Sequence, residues 1–110
     1  MDRDAVLTRV GGDVVLMREI VALFLEDCPR ALGEIRSAIR QQDAARLKLT
    51  AHAFKGAVGN FAAAAAVASA LRLEKMGRAG DLTGAGEAFA ELEAEVQQLL
   101  PGLALLAQPE

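Results

Sequence analysis

From Met17 to Ala38 the apolar residues return at alternating steps of four and three: Met17, Val21, Phe24, Cys28, Ala31, Ile35 and Ala38. That repeat lays one continuous stripe along a helix. It runs straight through Pro29, which in mid-helix removes a backbone hydrogen bond and kinks the rod. Because the stripe keeps its phase across the proline, the pattern predicts one kinked helix of about 28 residues rather than two helices. Ahead of it, residues 4–10 read as a short helix stopped by Gly11-Gly12, with Asp13 as the N-cap of the long one. Gln41-Gln42-Asp43 is a polar turn, and Asp43 caps a further helix ending near Gly59-Asn60. Residues 62–76 form an alanine-rich helix with Val67, Leu71 and Met76 as its larger apolar residues, ended by Gly77-Arg78-Ala79-Gly80. Asp81 or Thr83 caps the last helix. Its seam is Ala85, Phe89, Leu92, Val96, Leu99, Leu103 and Leu106, and Pro101-Gly102 is where it kinks or frays. Glu87, Glu91 and Glu95 fall on its outer side and read as a solvated face rather than a metal site.

Four long amphipathic helices joined by short loops pack most simply as an antiparallel four-helix bundle. The fold expected is therefore all-α: that bundle with a short extra N-terminal helix, as a single domain over residues 1–110 with a core at about 13–107.

One helix departs from the ordinary amphipathic pattern. Residues 51–62 hold the only histidine of the chain. At about 100° per residue, Leu47, Phe54, Val58 and Phe61 fall opposite His52, flanked by Ala51 and Ala57. These make a stripe for the core. Lys48, Lys55, Gly56 and Gly59 share the side of His52, with Ala45 and Ala63 above and below. Two glycines inside a helix cost roughly 1 kcal/mol each relative to alanine, so helix stability does not explain them. Access does. A glycine four residues after a histidine removes the side chain that would stand beside the ring, and lets a partner surface approach. Lys55 puts a cation within reach of negative charge on that imidazole. A single exposed histidine is usually only a surface residue; one kept uncluttered beside a lysine reads as a phosphorylation site.

Composition narrows the rest. A hydrophobic share of 53% with 25% charged residues belongs to a globular chain. The net charge of −3 gives no basic field for nucleic acid. Cys28 alone cannot form an internal disulfide, which fits a reducing cytoplasm, and reads as a small buried hydrophobe. No signal peptide precedes the first helix and no apolar run is long enough to span a bilayer. There is no phosphate-binding glycine loop and no kinase-like glycine-rich segment. One histidine and one cysteine cannot make a zinc site of the usual kind, and Ser37 and Ser69 have no second histidine for a triad. The chain can hold a phosphoryl group, and the expectation is a carrier with no cofactor, nucleotide or metal of its own.

His52-Ala53-Phe54-Lys55-Gly56 followed by Gly59-Asn60-Phe61 resembles the His-x-x-Lys-Gly core of histidine phosphotransfer (HPt) domains. Phe24-Leu25-Glu26-Asp27 upstream and Leu73-Glu74 with Gly77-Arg78-Ala79-Gly80-Asp81 downstream extend the likeness over nearly the whole chain. The chain departs from the pattern at Ala62, where many members carry glycine. The resemblance implies that His52 takes a phosphoryl group from an aspartyl-phosphate on a response-regulator receiver domain and passes it to another. The partners are then receivers and an upstream hybrid histidine kinase, with magnesium belonging to the receiver. Lys55 would offset the phosphoryl charge. Lys48, Leu49, Gly56 and Gly59 would meet the partner. Glu74 is a candidate acceptor for the second ring nitrogen; the alternative is a glutamate facing water and paired with Arg78 four residues on. Two other readings stand beside the carrier: a helical adaptor that binds a receiver or kinase without carrying phosphate, and a plain structural bundle such as a segment of a hybrid sensor kinase. Met1 and the compact length favour a free-standing chain, and a bundle that uses its seams internally favours a monomer.

Overall fold

The computed structural model describes residues 2–109, and in them five helices: α1 (Arg3–Arg9), α2 (Val14–Arg40), α3 (Ala44–Gly59), α4 (Ala64–Ala79) and α5 (Ala85–Ala107). Aspartates start the first three. The carboxylates of Asp2, Asp13 and Asp43 accept from the backbone N–H groups of Asp4, Leu16 and Arg46 at 2.9, 3.0 and 3.0 Å, each satisfying a donor that the helix itself leaves orphaned. α2 is continuous through Pro29 over 27 residues, as the unbroken stripe requires.

The later boundaries differ from the expected ones, for reasons written in the backbone. Ala62 has φ +54, a left-handed conformation that cannot continue a right-handed helix, so α4 starts at Ala64 rather than at residue 62. At its other end α4 runs on through Gly77 to Ala79 and stops at Gly80, whose φ is +71. Gly77 is a packing residue, not a stop. A Cβ on it would lie 2.6 Å from the backbone N of Lys48 and 2.7 Å from the carbonyl oxygen of Ala44 on α3. Neither Asp81 nor Thr83 caps α5. The Asp81 carboxylate instead accepts from the N–H of Thr83 at 3.1 Å, and Gly84 with φ +80 stands at the N-cap. Pro101 does not break α5, which continues to Ala107.

α2 packs on α3, α3 on α4, α4 on α5 and α5 back on α2, closing a ring of four, while α1 lies against α2. Neighbours are antiparallel. Going up α3 from Lys48 to His52 one goes down α4 from Gly77 to Glu74; going up α4 from Ser69 to Arg72 one goes down α5 from Glu95 to Glu91. The result is 45 × 19 × 19 Å, close to the length of α2 alone at about 1.5 Å per residue. The four helices form the expected antiparallel bundle with its extra N-terminal helix.

Along α2 the buried residue is Leu32, not Ala31, so the stripe takes two steps of four around Pro29. On α4 the core is Ala66, Ala70 and Leu73, while Val67, Leu71 and Met76 sit half-buried at the flanks. The Cys28 side chain is buried and burial pushes its thiol up, which leaves it inert. Phe24 of α2 meets Phe54 of α3 with ring centroids 5.9 Å apart, and Phe61 just beyond α3 edge-to-face at 5.0 Å. These rings fix the inner side of α3 and so the outward direction of His52. Glu87 and Glu91 are exposed as expected, Glu91 meeting Arg72 at 3.3 Å; Glu95 is not simply solvated, because it accepts the Ser69 hydroxyl at 2.8 Å.

Leu92 is fully buried, so Leu92→Ala should cost about 2–5 kcal/mol in denaturant unfolding. The helical glycines separate packing from access by sign. Gly77→Ala should destabilise by about 1–3 kcal/mol, because backbone must move, whereas Gly56→Ala, with open space at its Cβ position, should stabilise by up to ~1 kcal/mol. Equal signs at the two positions would contradict the packing.

Candidate functional site

His52 lies mid-way along α3 on its outer face, with 68% of its side chain exposed. The Phe24–Phe54–Phe61 cluster holds the opposite face of the helix inside. Gly56 is exposed and Gly59 half-buried, and neither would meet another atom if given a Cβ. Open space is not unique to them, since Gly33 and Gly86 share it. What distinguishes Gly56 is its position, one turn along and about 40° round from His52. Lys48 and Leu49 are exposed nearby, Leu49 to 66%. Ala63, expected above the histidine, is buried, because α3 ends at Gly59 and the helical projection no longer applies there.

The decisive neighbour comes from α4. Glu74 has only 4% of its side chain exposed, and its carboxylate is a hub. Oε1 lies 3.2 Å from His52 Nδ1 and 2.8 Å from Lys55 Nζ, and Oε2 accepts from Arg78 at 2.8 Å. Glu74 does not face water; it meets the ring on one oxygen and Arg78 on the other. Lys55 does not extend into solvent beside the ring. Its side chain is 26% exposed and its ammonium is bonded to Glu74.

This geometry sets protonation. The bonded Lys55 ammonium holds the Glu74 carboxyl down at about 2 from its ordinary 4.5, with His52 adding to the effect and desolvation opposing it. Glu74 is therefore ionised at neutral pH and can only accept. The ring nitrogen facing it must carry the proton, which in a neutral imidazole leaves the lone pair on Nε2. A carboxylate behind the ring and an exposed imidazole in front leave Nε2 as the ring nitrogen with a lone pair free. Among the described residues no group of three or more His, Cys, Asp or Glu is disposed to hold a metal ion, and no helix is long and apolar enough to cross a membrane.

Arg78 is the residue that the sequence reading left outside the site. Its signal was the Glu-to-Arg spacing of four on one helix; what the sequence could not supply was that Glu74 itself is turned inward. Because the folded Glu74 carboxyl titrates below its unfolded value, its contribution to stability is complete above about pH 4.5 and is lost as pH falls towards about 2. The stability difference between wild type and Glu74→Gln, followed by denaturant unfolding, should shrink across that window. A difference independent of pH would mean the hub's charges contribute nothing.

The family model described as Hpt domain matches residues 19–102, a span containing His52, Lys55, Glu74 and Arg78. No curated protein and no solved structure matches significantly. Hpt domains are phosphocarrier modules of two-component phosphorelays, working with receiver domains and kinases. With the family model covering most of the bundle and its site, the chain belongs to the Hpt domain family.

Proposed function

We propose that His52 Nε2 accepts a phosphoryl group from the aspartyl-phosphate of a response-regulator receiver domain and relays it to another receiver. The observation that carries this reading is the 3.2 Å contact between His52 Nδ1 and the ionised Glu74. In the transfer the Nε2 lone pair forms the N–P bond, the P–O bond to the aspartyl oxygen breaks, and its electron pair stays with the departing carboxylate. Nδ1 keeps its proton throughout. The ring thus becomes positively charged, and Glu74 stands against its N–H to stabilise that charge. The same protonated ring is the better leaving group in the onward step, which makes the carrier reversible. The chain supplies nucleophile, orientation and charge; the attacking geometry is in-line, and the rest of the machinery, magnesium included, is the receiver's.

The receiver's landing surface extends from His52 across Gly56 and Leu49 towards α2. There an open groove of about 620 Å³ lies between α2 and the end of α3, lined by Ile20, Leu23, Ala57, Asn60 and Phe61 and by the charged Glu26, Asp27 and Arg30, with Leu23 65% exposed. Apolar exposure beside a reactive side chain fits docking better than a solvated face. Lys48 borders the same histidine face on the α4 side, and Gly59 continues it along α3.

His52→Gln should abolish acid-labile, base-stable phosphorylation from a phosphorylated receiver while leaving helical content and melting close to wild type. Uptake by the mutant would move the acceptor elsewhere, and a wild type that binds the receiver without taking up phosphate would make the protein an adaptor. Gly56→Gln should leave stability unchanged or higher yet slow transfer from a receiver strongly, with phosphoramidate, a small donor needing no landing surface, affected far less. Unfolding by Gly56→Gln would instead assign that glycine to helix packing.

A further inference from the structure

Lys55 has two conflicting tasks. In the resting protein its ammonium is bonded to Glu74 Oε1 at 2.8 Å. Once His52 Nε2 carries a phosphoryl group, with a charge of about −1.5 to −2, the same ammonium, three residues on along α3, is a cation placed to meet the new oxygens. Leaving Glu74 would strip a nearly buried carboxylate of a counter-charge, and such a group tends to take up a proton. A protonated Glu74 could donate as well as accept and would no longer oppose the positive charge that N–P bond formation places on the ring.

Arg78 resolves the conflict. Its guanidinium grips the other carboxylate oxygen, Oε2, at 2.8 Å, from the last turn of the helix that carries Glu74. An arginine cannot lose its proton, so this counter-charge is permanent. It is also independent of α3, so it stays while Lys55 moves. We propose that Arg78 is a positioning residue that keeps Glu74 ionised and aimed at His52 Nδ1 while Lys55 swings from Glu74 to the phosphoryl group. The inference rests on the phosphotransfer reading above. It adds no bond to the transfer: the N–P bond forms, the donor's bond to phosphorus breaks, the electron pair leaves with the donor, and Nδ1 keeps its proton.

The test is the rate at which the full chain is loaded on His52 by phosphoramidate, which removes any receiver contact to Arg78 from the comparison. Arg78→Gln should slow loading by about tenfold, in the range usual for partners that orient a reacting group. In a Glu74→Gln background, where no carboxylate needs a counter-charge, Arg78→Gln should change the rate less than about twofold. Arg78→Lys should recover the rate to within about threefold, because charge is what is needed. Equal slowing in both backgrounds would mean that Arg78 acts on the phosphoryl group directly and would overturn the proposal. So would unchanged loading by Arg78→Gln, or a lysine variant as slow as the glutamine one. If wild-type His52 takes up no phosphoryl group at all, the phosphotransfer reading falls and this inference with it; if wild type loads normally and Arg78→Gln loads as fast, only the inference falls.

Discussion

A carboxylate nearly closed off from water and bonded to three nitrogen-bearing side chains is a demanding object to build. Glu74 is that object, with 4% of its side chain exposed and partners from both α3 and α4. Burying the charge is costly unless every oxygen is engaged, and engagement requires the two helices to stand at one separation and one register. Lys55, with His52 adding to it, holds Glu74 in its ionised form, the ionised form fixes the proton on His52 Nδ1, and the proton's position leaves the lone pair on Nε2. Chemistry at the surface of α3 thus depends on an interaction lying beneath it.

The register is set one turn away. Gly77 lets α4 approach the backbone of α3 at Lys48 more closely than any Cβ would permit. In an antiparallel pair, one turn back along α4 and one turn on along α3 from that contact bring Glu74 and His52 together. Behind α3, Phe24, Phe54 and Phe61 prevent the helix from rolling, so the ring cannot turn inward. Two glycines, three residues from Glu74 and four from His52, thus do different things. Gly77 brings backbones together, and Gly56 keeps a surface open.

Much of this was legible in the sequence because it is local or periodic. The four-three stripes give helix existence and inner faces; the aspartates at positions 13 and 43 give two starts; the His-x-x-Lys-Gly spacing gives the exposed cluster. What was not legible depends on three dimensions. Whether Gly77 ended a helix or packed one could not be told from its type, since glycine serves both ends. The sequence shows Val67, Leu71 and Met76 as larger apolar residues of α4 but not its inner face, for which the close helix pair selects small residues and Leu73. Glu74 was visible as a candidate, but its burial was not, because charge alone argues for solvent. Only the partner helix shows why a glutamate belongs there, and only its burial shows why Arg78 does too.

The contact between Glu74 and His52 fixes the proton of the resting ring on Nδ1. Long-range proton–nitrogen NMR of the neutral imidazole reads that directly. The wild type should show a ring protonated at Nδ1 with an unprotonated Nε2, and Glu74→Ala a mixture of the two forms. A wild-type ring protonated predominantly at Nε2 would contradict it, because the exposed nitrogen would then have no lone pair to offer.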